Sequence, residues 1–220
     1  YKFIRTDADL TDGTSGWWGL INATDMIKNG NSSIVGGTWA TDGLANSPND
    51  PRDMEIHEAV NGEQRLVVTR ATDIAILNLS GAANIWTASW WVGTLVQTAL
   101  TSDTFHPLAK IQRLLCIGDI VTSTTTKRAV LRTIDKDDTV NASRLLFPAG
   151  YTIRLLTASG DNLWIALQGD AGQPAKICEW DGSAFSYAER GDLQGSFPLT
   201  GWFKNGVPYY ITELCYFFKY

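Results

Sequence analysis

The feature that most constrains this chain is the regular return of one short strand design. EQRLVVTR, IQRLLCIG, DNLWIALQ and NGVPYYIT each open on a polar or turn lead-in and run into four to six mostly apolar residues. Anchored at Leu66, Leu114, Leu163 and Val207, successive copies lie 48, 49 and 44 residues apart, and one step back reaches a weaker copy near Trp18 in GWWGLINATDMI. No stretch sustains the i, i+3, i+4, i+7 pattern of an amphipathic helix over three turns, and Gly, Asn, Asp, Ser and Thr interrupt the chain every 8 to 12 residues. A period in the mid-forties, with several short strands in each unit, is what a β-propeller blade requires. The sequence therefore predicts an all-β fold, a β-propeller of four-stranded antiparallel blades. It would have about five blades or be a fragment of a larger propeller.

The approximate blades are 1–53 (degenerate), 54–104, 105–150, 151–194 and 195–220 (incomplete). The clearest is the fourth, with YTIRLLTA, NLWIALQG, AKICEW and FSYAERGDL as its strands. Ser159-Gly160-Asp161 turns the first pair. Asp181-Gly182 has the composition of a two-residue hairpin turn between the third and fourth strands, which would leave Trp180 at a strand end near the blade's rim. NLWIAL and PYYIT are apolar at consecutive positions, whereas a half-exposed strand alternates. Sandwiching each blade between two neighbours accounts for that. The last repeat supplies FPLTGWF, PYYITE and LCYFFKY and lacks an outer strand. YKFIRT at the other terminus is the expected donor in a closed ring, because an open array leaves bare sheet edges. Tyr1 in place of an initiator Met and the abrupt aromatic C-terminus tilt the expectation toward a fragment.

Composition excludes several classes. The 220 residues are 44% hydrophobic and 19% charged, which suits a globular chain and not a disordered one. A net charge of −5 arises from scattered acids, and no Lys/Arg run marks a nucleic-acid or anionic-membrane partner. No apolar run reaches about 18 residues, so no membrane insertion is expected. The N-terminus lacks the charged-then-apolar order of a signal peptide. Cys116, Cys178 and Cys215 each lie in an apolar strand-like run without Cys-x-x-Cys spacing, and are expected as buried free thiols rather than zinc ligands or disulfides.

Candidate sites are few. Asp7, Asp9 and Asp12 ahead of Gly13 resemble the start of a calcium loop, but Thr11 stands at the third ligand position and Trp18 replaces the closing Glu, so an Asx-rich loop is expected. Asp135-Lys136-Asp137-Asp138 reads as a solvated turn. A sialidase-type Ser-x-Asp-x-Gly-x-x-Trp turn has its nearest match at Ser33–Trp39, with Val35 where the Asp should be and one residue missing. His57 and His106 have no Gly-x-Ser-x-Gly elbow to serve, and buried or loop positions are expected for both. No catalytic residue, cofactor or metal is therefore assigned. The four Asn-x-Ser/Thr sequons at Asn22, Asn31, Asn78 and Asn141 follow from a chain rich in Ser and Thr. Nine tryptophans, with the pairs Trp17-Trp18 and Trp90-Trp91, are a stronger signal. Neighbours in a strand point to opposite faces, so one of each pair is exposed unless a neighbouring blade covers it. Inter-blade packing is the main expectation; Trp17, Trp90 and Trp202 are the candidates for a binding surface.

Phe105-His106-Pro107-Leu108, then RLLCIGD, a further strand, YTIRLL, GDNLWIAL and WDG, together resemble the uncharacterised β-propeller proteins of bacteriophage and environmental viral genomes. The likeness spans about residues 54 to 212. It departs from the usual pattern where Thr212-Glu213 replaces a Gly-rich turn before the last strand. It also differs from WD40 repeats, since Trp-Asp occurs once and no Gly-His pair precedes it. The resemblance implies a non-catalytic binding or structural component of the virion (tail, fibre or decoration). Its partners would be other virion proteins or a host cell-surface molecule. The alternative is a carbohydrate-active or glycan-binding propeller, a glycosidase or a lectin.

Overall fold

A computed structural model of the chain describes the strand backbone at 2–5, 18–21, 26–29 and 39–41, together with residues 53–62, 64–69, 74–78, 91–92, 100–101, 105–123, 126–170 and 172–220. The fold is all-β, and no helix occurs among the described residues. The strands form five antiparallel meanders. β1 (Lys2–Arg5), β2 (Trp18–Ile21), β3 (Met26–Asn29) and β4 (Trp39–Thr41) make the first sheet; β5 (Asp53–Glu58), β6 (Gln64–Thr69), β7 (Ile74–Asn78) and β8 (Trp91–Val92) make the second. The third holds β9 (Leu108–Ile111), β10 (Leu114–Ser123), β11 (Thr126–Ile134) and β12 (Val140–Ala149); the fourth holds β13 (Tyr151–Ser159), β14 (Asn162–Gly169), β15 (Lys176–Trp180) and β16 (Ala188–Asp192). The fifth has three strands, β17 (Pro198–Lys204), β18 (Val207–Thr212) and β19 (Phe217–Lys219). The YKFIRT strand does not complete this fifth sheet. As β1 it pairs with β2, Phe3 opposite Leu20, inside its own meander.

The second to fifth sheets stack face to face, and period-two alternation divides the apolar residues of the third and fourth between two neighbours. On β10, Leu115 and Ile117 join Val67, Ile74 and Leu108 against the second sheet, while Cys116 joins a separate core with Ile153, Leu163, Ile165 and Trp180 of the fourth. On β14 and β15, Ile165 and Cys178 face the third sheet; Ala166 and Ile177 face Tyr210 of the fifth. Both faces of β10 and β14 thus carry buried apolar residues, which is why their sequences do not alternate. The first strands also follow one another in space: β5 lies against β9, β9 against β13, and β13 against β17.

Turn chemistry follows local residue type in one hairpin and departs from it in another. Asn205 and Gly206, both at positive φ, close β17 onto β18 in two residues, the pairing that matches strand twist. Asp181-Gly182 does not make such a turn. It opens a seven-residue loop, 181–187, between β15 and β16. Asp181 Oδ1 accepts N–H bonds from Ser183 and Ala184 and the Ser183 hydroxyl, an Asx cap that bends the chain away from the hairpin path. Gly182 is then buried beside Ile111 and Gln112 of the third sheet, and Arg144 donates to the Ser183 carbonyl. Trp180 is no rim residue: it is 1% exposed in the core and donates its indole N–H to Ala184 O at 2.7 Å.

Candidate functional site

Of the three tryptophans singled out above, Trp17 and Trp90 lie outside the described residues. Trp202 is on β17 and 37% exposed. Strand register places it directly opposite Tyr209 on β18, and the two rings stack at 5.8 Å with 11° between their planes. Phe217 on β19, 58% exposed, completes the group at 5.7 Å from Trp202 and 5.3 Å from Tyr209. Each of the three strands contributes one ring to one face. The neighbouring positions Tyr210 and Phe218 turn the other way, toward the fourth sheet. Lys219 pairs with Tyr209 and Lys204 with Val207, so ammonium groups stand on the strands that carry the rings.

A second, polar constellation lies where the first strands meet, and sequence reasoning missed it. Phe105, His106 and Pro107 lead into β9, and the second sheet anchors them. Asp53 Oδ2 accepts the Leu108 N–H at 2.8 Å, and Thr69 donates its hydroxyl to His106 O at 2.6 Å. His106 is fully buried and donates Nδ1–H to Gly118 O at 3.0 Å, with Asp119 Oδ1 3.7 Å away. Asp119 is buried too; its Oδ2 takes Arg132 Nε and Nη2, each at 2.7 Å, and its Oδ1 takes Thr101 N–H. A cavity of about 360 Å³ opens beside this segment, lined by Asp53, Phe105, His106, Pro107, Arg154, Leu155 and Leu156. The signal that could have found it is Arg154 itself, a lone charge inside the apolar run YTIRLL.

The remaining sequence candidates have structural uses. His57, 1% exposed on β5, donates Nε2–H to Asp135 O at 3.1 Å, while its Nδ1 meets no partner among the described residues. Desolvation holds its pKa below the ordinary histidine value, against the nearby Asp138 carboxylate. The Asp135–Asp138 segment is more than a solvated turn. Asp135 Oδ1 accepts N–H from Asp137 and Thr139, and Asp138 Oδ2 pairs with Arg65 Nη1 at 2.6 Å, tying this hairpin to the second sheet. Cys116 and Cys178 are buried, but Cys215 is exposed. It occupies a tight turn at φ 59°, its N–H donating to Thr212 O, because Thr212–Cys215 reverses β18 into β19. Glu213, which stands where a Gly-rich turn was expected, accepts N–H from Ser196 and Phe197 and so fixes the approach to β17. The Asp7–Asp12 loop lies outside the described residues. Among the described residues no group of three His, Cys, Asp or Glu side chains is placed to hold a metal, and no helix is long and apolar enough to cross a membrane.

No family model and no curated protein matches the chain. Among solved structures it is similar to the computationally designed Ika8 protein, at TM-score 0.46 and 8% identity over the whole of this chain and 71% of that one. It is also similar to a eukaryotic initiation factor, at TM-score 0.45 and 11% identity over the whole of this chain and 53% of that one. Likenesses at this level carry nothing about what the chain binds or does.

Proposed function

We propose that the chain is a β-propeller module that binds without catalysis and presents the Trp202–Tyr209–Phe217 face to another protein subunit of a phage particle. The observation that carries the reading is this row of three rings, one from each strand of the fifth sheet, with Trp202 and Phe217 exposed and Tyr209 half-buried between them. Aromatic residues that cluster at the centre of a patch are the typical anchors of protein interfaces. Lys204 and Lys219 at its margin favour a partner with an acidic rim. The radial arrangement is supported by the succession of first strands, β5, β9, β13 and β17, and by the two-sided burial of the sheets between them. The non-catalytic reading is supported by the two histidines, each of which spends a ring N–H on a backbone carbonyl.

Purified particles are expected to contain the chain, and the double variant Trp202→Ala/Phe217→Ala to lower its incorporation. Loss of a central aromatic anchor costs about 2 kcal/mol or more, roughly thirtyfold in affinity. A correctly folded double variant that assembles as well as the parent sinks the reading. Glycan binding is the second reading, favoured by the flat stacking of Trp202 on Tyr209. It is chosen instead if a glycan array gives Trp202-dependent binding and the particles do not hold the chain.

A further inference from the structure

Arg154 is set apart by strand geometry. A bulge between Ile153 and Leu155 leaves it opposite no residue of β14, and a bulged residue is re-aimed out of the sheet's regular alternation. Its guanidinium carbon lies 3.1 Å from the centroid of the Phe105 ring and 4.3 Å from that of Phe197. The two rings meet edge to face at 6.3 Å. Ring faces stabilise the cation, but they satisfy none of its five N–H donors, which need acceptors lying in its own plane. Nε and Nη1 are closed to solvent and meet no acceptor among the described residues. A donor left in that state costs its full desolvation, and burial holds this arginine's pKa below its ordinary value. The side chain borders the 360 Å³ cavity, which only the edge of the guanidinium left open by those two atoms can face.

We propose that this cavity binds a small monocarboxylate with an apolar body. The carboxylate meets the open edge of the Arg154 guanidinium in a charge-assisted hydrogen bond. The body lies against Pro107, Leu155 and Leu156. The aromatic rings hold the guanidinium in place before the ligand arrives, so little side-chain entropy is lost on binding. Asp53 decides the charge of the ligand. Its carboxylate lines the same cavity and is engaged by the N–H groups of Met54 and Leu108. That fixed negative charge opposes a phosphate dianion more than a monoanion. The volume is at the small end of ligand pockets.

The test is a titration of the intact chain at pH 7 with benzoate, benzamide and inorganic phosphate. It is followed by the Arg154 Nε–H resonance and by calorimetry. Saturable benzoate binding that shifts this resonance is expected, with benzamide and phosphate each at least about tenfold weaker. Arg154→Lys, which keeps the charge and loses the planar guanidinium held between the rings, is expected to weaken benzoate by about tenfold; Arg154→Met is expected to abolish it. The proposal is overturned if benzoate fails to saturate the parent protein, if benzamide or phosphate binds as tightly, or if a folded Arg154→Lys variant binds benzoate unchanged. The parent titration decides the matter even if Arg154→Met does not fold.

Discussion

Gly118→Ala probes the meeting of the first strands most directly. Gly118 sits on β10 with a φ that alanine adopts without strain, so the substitution on its own should stabilise by about 0.4–1 kcal/mol through the unfolded chain. The folded state opposes this. A Cβ built at Gly118 would stand 2.8 Å from Ile153 Cγ2 and 2.9 Å from both Pro107 Cδ and Cγ, where ordinary contact begins at 3.4 Å. Neither neighbour can swing aside. Pro107 is a ring held by its own carbonyl, which accepts the Gly118 N–H at 3.0 Å, and Ile153 is β-branched and fully buried. Overpacking of this kind costs about 1–3 kcal/mol, so the net expectation is a loss of about 1–2 kcal/mol. Urea unfolding followed by tryptophan fluorescence should show a lower midpoint with an unchanged slope. Ile153→Leu removes the offending Cγ2 and should restore about 0.5–1 kcal/mol in the double variant as a favourable coupling. Rescue is partial because Pro107 remains. A raised midpoint for Gly118→Ala, or strictly additive single and double variants, would refute the close approach of β9, β10 and β13.

Two further outcomes follow from the buried groups. The His57 imidazole is held below the ordinary histidine pKa by desolvation, so as the pH falls through about 6.5 the unfolded chain takes up a proton before the folded one. The stability His57 contributes is complete above that pH and is lost as pH falls toward the folded-state pKa. Stability measured from pH 8 to 5 should therefore drop more steeply in the parent than in His57→Gln, and parallel curves would remove the desolvation argument. Among the thiols, burial pushes Cys116 and Cys178 up to about 12, while Cys215 is open in its turn. A thiol reagent should consume one equivalent at once in the native protein and the other two only in denaturant; rapid reaction of a second thiol would contradict the core assignment.

How much of this was legible in the sequence depends on the range over which each feature is decided. Strand positions are local, carried by apolar runs and turn residues, and the repeat located the second strand of every sheet, its weaker copy near Trp18 falling on β2. Partners are not local. YKFIRT reads as a strand, but nothing within it says that β2 is its neighbour. Asp181-Gly182 has the composition of a hairpin turn, yet an Asx cap and the docking of Gly182 against Ile111 divert the chain into a loop. That decision belongs to the third sheet, not to the dipeptide. Arg154 is visible as a charge among apolar residues, but only the bulge in β13 reveals why it can leave the sheet's alternation.

The aromatic face exposes a deeper limit. In this stack the inner strands β10, β14 and β18 are apolar on both sides, although β18 meets a neighbouring sheet on one side only. PYYIT therefore looks the same to a reader of the sequence whether its outward parity is covered or open. Tyr210, 1% exposed, and Tyr209, with its ring in the solvent-facing group, are adjacent residues of one type on one strand. Period-two alternation separates them onto different faces, but only the identity of the neighbouring sheet assigns one face to the core and leaves the other to solvent. Trp17, Trp90 and Trp202 could accordingly be named only as equals. A surface built in this way carries no compositional mark of its own, since the same rings that would bury a neighbouring sheet serve equally to bind a separate protein. The decisive measurement on this face is therefore a comparison of costs. Phe217→Ala should weaken assembly more than it lowers folding stability, because a ring that is 58% exposed has the less burial to lose on unfolding.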